Sequence, residues 1–165
     1  MNYARIKPHD VANGPGIRVS LFVSGCPHHC KGCFNPETWD FNYGQWFTCD
    51  TITEILDLCA PEHISGLSLL GGEPLAPGNY ARVQQLCKAF KERYPAKTIW
   101  CYTGYVWRQV EHRAVLKNID VLVDGPFVEA EKDLSLRFRG SRNQRIIDVQ
   151  QSLKEGYPVL RKDLM

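Results

Sequence analysis

Long apolar runs are missing from this sequence of 165 residues; nothing in it reaches the roughly eighteen consecutive apolar positions of a membrane-crossing helix. The opening residues, Met1-Asn2-Tyr3-Ala4-Arg5-Ile6-Lys7-Pro8, lack the apolar stretch of a secretory signal, so a cytoplasmic protein with no membrane partner is expected. Neither sign of charge dominates. Lys and Arg total 20 against 18 Asp and Glu, and a net charge of +2 gives no reason to expect nucleic acid. Internal repeats, linkers and low-complexity tracts are absent too, which leaves a single domain over residues 1–165 as the expectation. No Ser-His-Asp pattern and no phosphate loop stands out, so general-base or nucleophilic chemistry has no visible carrier. What remains, 44% apolar and 23% charged, is the composition of a soluble globular chain.

Cysteine is the exception to this ordinariness. Seven are present, an odd number, and in a reducing compartment they are expected as thiols. Cys26, Cys30 and Cys33 fall in a C-x3-C-x2-C spacing directly after the apolar run Ile17 to Val23. Gly25, Pro27 and Gly32 are residue types that let such a loop curl around a metal centre. Three thiolates leave a four-ligand centre one ligand short, and an open position on a metal is where chemistry takes place. The others are scattered. Cys59 is in phase with Ile52, Ile55 and Leu56, and Cys87 with Val83, Leu86 and Phe90, so both are expected to fill a core. Cys49 and Cys101 have no cysteine at ligand spacing.

Along the chain, residues 1–12 show no period, and Asn13-Gly14-Pro15-Gly16 is a turn feeding a first strand, Ile17 to Val23. An aromatic, irregular stretch from Asn35 to Phe47 follows the cysteine loop. Helical spacing runs from Thr48 to Ala60, with Asp50 or Thr51 as N-cap and Pro61 as its stop. Gly66 to Leu70 is a second strand, Tyr80 to Arg93 a helix, Thr98 to Tyr102 a third strand, Val106 to Arg113 a short helix, and Ile119 to Val123 a fourth strand. Strands alternating with helices predict βαβ units and a parallel sheet. Beyond Val128 the pattern changes. Leu134, Leu136 and Phe138 alternate with polar residues, as do Ile147 and Val149, so extra strands are expected there. Arg137, Arg139, Arg142 and Arg145 make this tail basic, either as a solvated face or as a surface for an acidic partner or cofactor carboxylate.

Ligands in parallel α/β folds collect at the carboxyl ends of the strands. The four inferred strands end in the cysteine loop, in Gly71-Gly72-Glu73-Pro74, in Thr103-Gly104-Tyr105 and in Asp124-Gly125-Pro126. All four turns are therefore expected around one pocket, where Glu73 offers a carboxylate to an ammonium group.

C-x3-C-x2-C followed by Phe34, with Gly71-Gly72-Glu73-Pro74 after the next strand, resembles the radical S-adenosylmethionine (SAM) enzymes. The resemblance implies an α/β fold of the parallel-sheet, partial TIM-barrel type, here short and open, with an extra β or irregular C-terminal tail. It implies a 4Fe–4S cluster on Cys26, Cys30 and Cys33 whose fourth iron is chelated by SAM. Gly32, Cys33, Phe34, Gly71, Gly72, Glu73, Pro74, Thr103, Gly104 and Asp124 would contact the SAM molecule. Asn13-Gly14-Pro15-Gly16-Ile17-Arg18, Trp100 to Tyr105, Val123 to Phe127 and Arg139 to Arg145 further resemble the activases of the anaerobic ribonucleoside-triphosphate reductase. That narrower resemblance implies reductive cleavage of SAM to a 5′-deoxyadenosyl radical, which takes a hydrogen from a glycine Cα of the partner reductase. A flavodoxin-type reductant would recharge the cluster.

Other readings of the same residues stand beside this one. His28 or His29 could complete a zinc site with the three cysteines. The chain could also be a radical SAM enzyme for a small molecule, of the deazaguanine synthase type, or the activase of a different glycyl-radical enzyme. An iron–sulfur electron carrier is a further class, but it calls for a fourth protein ligand.

Overall fold

The computed structural model describes residues 1–165. Its strands are β1 (Asn2–Asp10), β2 (Ile17–Val23), β3 (Gln45–Trp46), β4 (Ile64–Gly71), β5 (Thr98–Tyr102), β6 (Val121–Asp124), β7 (Arg145–Asp148) and β8 (Val159–Leu160). They form one sheet in the order β3-β1-β2-β4-β5-β6-β7-β8. The middle of the sheet is parallel: β2 pairs with β4, β4 with β5 and β5 with β6, through Leu21–Leu69, Leu69–Cys101 and Cys101–Leu122. These strands are predominantly apolar, and most of their residues are buried. Antiparallel strands flank them, β1 and β3 on one side, β7 and β8 on the other.

The helices are α1 (Cys49–Leu58), α2 (Pro77–Arg93), α3 (Trp107–Val110) and α4 (Val149–Glu155). Thr48, not Asp50 or Thr51, caps α1; its hydroxyl accepts from Thr51 N, and the Thr51 hydroxyl accepts from Thr48 N in return. Pro77 opens α2 at a position where a missing N–H costs nothing. Both helices pack on one face of the sheet. Ile55 and Leu56 of α1 and Val83, Leu86, Cys87 and Phe90 of α2 join Val19, Leu21, Leu67, Leu69, Ile99 and Cys101 in the main core. Successive strand residues point to opposite faces. The intervening positions Arg18, Ser20, Phe22, Ser68, Leu70, Trp100 and Tyr102 therefore belong to the other face, which carries only a small apolar cluster around Trp100, Val121, Val123 and Ile146. No helix is long and apolar enough to cross a membrane.

Three expectations change. Residues 1–12 are not a lead-in but contain the nine-residue strand β1. The alternation of Leu134, Leu136 and Phe138 makes no strand; the tail strands are β7 and β8, with Val149 opening α4. The helix expected over Val106 to Arg113 is a single turn, Trp107–Val110.

Candidate metal centre

The cysteine loop is anchored at its root by backbone bonds. Beyond β2, Gly25 N donates to Thr38 O at 2.8 Å and Cys26 N to Trp39 O at 3.1 Å. Gly72 N donates to Val23 O at 2.7 Å and Glu73 N to Gly25 O at 2.8 Å. Gly71 makes this approach possible: its φ is +98°, and a Cβ there would sit 2.7 Å from Val23 O. Asn79, fully buried near the start of α2, adds a clamp by donating from Nδ2 to Ser24 O and to Glu73 O, both at 2.9 Å.

Cys26, Cys30 and Cys33 are free, partly exposed thiols that line one cavity of about 510 Å³. Burial pushes the Cys26 thiol up to about 11, although the amides of His28 and His29 favour its thiolate. Asn35 N donates to Cys33 Sγ at 3.4 Å. Amide donors of this kind are among the levers that set the potential of a sulfur-ligated cluster.

Glu73 is the hub of the site. Its carboxylate is only 1% exposed. Oε1 accepts from Thr103 Oγ1 at 2.8 Å and Leu75 N at 2.9 Å; Oε2 accepts from Gly104 N and His28 Nε2, both at 2.8 Å. A carboxylate has about four lone-pair sites, so this one is full. Through these bonds Glu73, which also lines the cavity, ties the turn after β4 to the turn after β5 and to the cysteine loop.

Of the residues singled out from the sequence, Cys26, Cys30, Cys33, Phe34, Gly71, Gly72, Glu73, Thr103 and Gly104 all line the same cavity. The Phe34 ring is 56% exposed, packs 5.0 Å from Phe127 and lies under Lys132 Nζ at 5.1 Å. Gly32, Pro74 and Asp124 are not among the lining residues. Asp124 faces elsewhere: both its oxygens accept from Arg145, and Oδ2 also takes Trp107 N at 2.8 Å. The turn after β6 reaches the cavity through Gly125 instead.

The basic tail divides in the same way. Arg145 pairs with Asp124 and Arg142 with Asp133, whereas Arg139 lines the cavity and its buried Nε has no partner. Asn13 lines the cavity too, as do Arg5 and Lys7 of β1, which were not anticipated because β1 was not recognised as a strand. Asn79 was not anticipated either. The only trace of Asn79 in the sequence is a polar residue on the inner side of the first turn of α2. His28 is offered by the sequence only as a possible zinc ligand, whereas the structure bonds it to Glu73.

The donor set fits a cluster better than a single ion. No group of three or more His, Cys, Asp or Glu side chains is arranged to hold one metal ion. A cubane takes each thiolate on a different iron, so its ligands need not crowd together as those of one zinc must. The histidines are also committed elsewhere. His28 Nε2 is bonded to Glu73, and His29 stacks on Trp39 with ring centroids 4.7 Å apart.

A family model for the 4Fe–4S single cluster domain matches residues 12–147. Three relatives share one description, anaerobic ribonucleoside-triphosphate reductase-activating protein. The relative from Enterobacteria phage T4 is 45% identical over 148 residues, covering 88% of this chain and 93% of that protein. The one from Vibrio cholerae is 45% identical over 150 residues, 88% of this chain and 97% of its own. The one from Escherichia coli K12 is 44% identical over 148 residues, 87% and 96% respectively.

Proposed function

The chain belongs to the anaerobic ribonucleoside-triphosphate reductase-activating protein family and to the 4Fe–4S single cluster domain family, and from that membership we propose that it activates such a reductase by radical SAM chemistry. The observation that carries the mechanism is the shared cavity: three free cysteines on one wall, with Gly71, Gly72, Thr103 and Gly104 on the others. Cys26, Cys30 and Cys33 would hold three irons of the cluster, and SAM would take the fourth. Together, when bound, the cluster and SAM supply one-electron reductive cleavage of a sulfonium and, through it, removal of hydrogen from a glycine Cα of the partner. A flavodoxin-type protein is the class of reductant this requires.

The remaining work falls to the residues around the cavity. Glu73 keeps the turns after β4 and β5 at a fixed spacing, so backbone groups of Gly71, Gly72 and Gly104 are held where a small ligand meets them. Phe22, Leu70, Phe127 and Phe138 give the cavity apolar walls, which keep water from a reactive species. The parallel strands β2, β4, β5 and β6 each lie beside the one before, without the reversal of a doubly wound sheet. That order supports an open arc of a TIM-type barrel, and one sheet holding all eight strands supports a single domain over residues 1–165.

The test begins with anaerobic reconstitution. The protein should turn brown, take up about four irons per chain and cleave SAM once reduced. Incubated with SAM, reductant and the anaerobic reductase, it should produce a glycyl radical doublet in electron paramagnetic resonance. A colourless protein with one tightly bound zinc would overturn the reading.

A further inference from the structure

Residues 26–34 make one hydrogen bond to the turns that follow β4 and β5, and it comes from His28. Cys26 N bonds to Trp39 O, Cys33 N stays within the loop at Cys30 O, and Lys31 makes a surface pair with Glu129. The His28 ring is held on three sides. Nε2 meets Glu73 Oε2 at 2.8 Å, and since a carboxylate only accepts, the histidine donates. Tyr105 contacts it edge-on, with centroids 4.6 Å apart and planes at 74°. Gly104 leaves room for the ring, since a Cβ there would lie 2.5 Å from His28 Cδ2.

We propose that His28 is a positioning residue: through Glu73 it fixes the cysteine loop relative to the turns after β4 and β5. Resting on the reading given above, this makes the loop that would hold the cluster and the turns that would hold SAM a single rigid unit. The three thiolates do not depend on it for their own ligation. Their number and spacing are set by the loop, whose root is held by backbone bonds and Asn79. His28 governs the second task, keeping the wall that binds the cluster in register with the wall that binds the cofactor. Outer partners of ligand groups commonly change affinity by about ten- to a hundredfold when removed.

The experiment compares reconstituted wild type with His28→Ala, His28→Gln and Gly104→Ala. It reads iron per chain, SAM affinity by equilibrium dialysis, and the resonance spectrum of the reduced cluster with and without SAM. His28→Ala should keep its iron, bind SAM on the order of tenfold more weakly and lose the spectral change that SAM induces. Gly104→Ala, by displacing the ring, should behave alike. His28→Gln carries an amide donor at similar reach and should restore affinity to within about threefold of wild type.

Unchanged SAM affinity and spectrum in His28→Ala would overturn the proposal. So would a defect that Gln does not repair, which would assign the effect to ring packing, and so would loss of iron from His28→Ala. If SAM left the wild-type spectrum unaltered, the SAM reading itself would fall, and the proposal with it.

Discussion

The two faces of the sheet are built from alternate residues of the same strands, yet they do opposite things. On the helix-covered face, Val19, Leu21, Leu67, Leu69, Ile99 and Cys101 are fully buried among α1 and α2, and no charged group interrupts them. On the other face stand Arg18, Ser20, Ser68 and Tyr102, with Asp10 from β1 packed against Ser20. That face spends its positions on a cavity and on buried charge. Arg18 is 1% exposed and has no carboxylate within ion-pair distance; it donates to Ser68 Oγ, Leu67 O, Thr98 O and Thr98 Oγ1, at 2.8 to 3.0 Å. Burial lowers the Arg18 guanidinium to about 10. One face stores the stability that the other uses to keep polar groups out of water. The division also sorts the cysteines. Cys59, Cys87 and Cys101 lie in the apolar core, where burial pushes Cys59 and Cys87 up to about 12, and the three of the loop line the cavity.

The sharpest way to break this contrast is to damage each side separately. Cys30→Ala should remove the cluster altogether, read as loss of iron and of brown colour, and leave the melting temperature of the metal-free protein nearly unchanged. Phe90→Ala, deep under α2, should do the reverse: roughly 10 °C off the melting temperature, with cluster uptake retained below it. If Cys30→Ala lowered the melting temperature of the metal-free protein as much as Phe90→Ala, the two faces would not be separable.

A smaller effect sharpens the account of the cavity face. Arg18→Met keeps much of the volume and leaves Ser68, Leu67 and Thr98 without their donor, so urea unfolding should show a loss of about 3 kcal/mol. A variant as stable as wild type would show that the guanidinium offsets no more than its own burial.

The smallest effect depends on pH. Burial raises the Asp10 carboxyl, but bonds from Ser20, Asn13, Ala12 N and Lys7 outweigh this and hold it well below the usual carboxylate range. A group with a depressed folded pKa stabilises the protein above its unfolded value near ~4 and loses that contribution as pH falls through the folded value. The stability gap between wild type and Asp10→Asn should therefore be about 2 kcal/mol at pH 7 and shrink progressively below about pH 4. A gap independent of pH would remove the charge from the explanation.

Legibility in the sequence followed burial. β5 was expected at Thr98 to Tyr102 and lies there, because a short apolar run between turn residues has few alternatives. β1 escaped notice because an outer strand tolerates Lys7, Pro8 and His9, which erase any period. Leu134, Leu136 and Phe138 line the cavity from a loop, so their alternation reflects a wall and not a ladder. The cysteine spacing and the four strand-end turns were readable as local patterns. So was their meeting around one cavity; the side-chain partners within it were not, since Asp124 pairs with Arg145 and Glu73 has four partners from three separate segments.

The borders of the sheet are short, since β3 and β8 have two residues each. Beyond β3, the uncovered margin of β1 presents Lys7 beside Pro8, which has no N–H to offer. A strand arriving from another molecule would meet only a broken row of donors and acceptors. The margins of the sheet thus resist the edge-to-edge polymerisation and fibrous aggregation that exposed β edges invite.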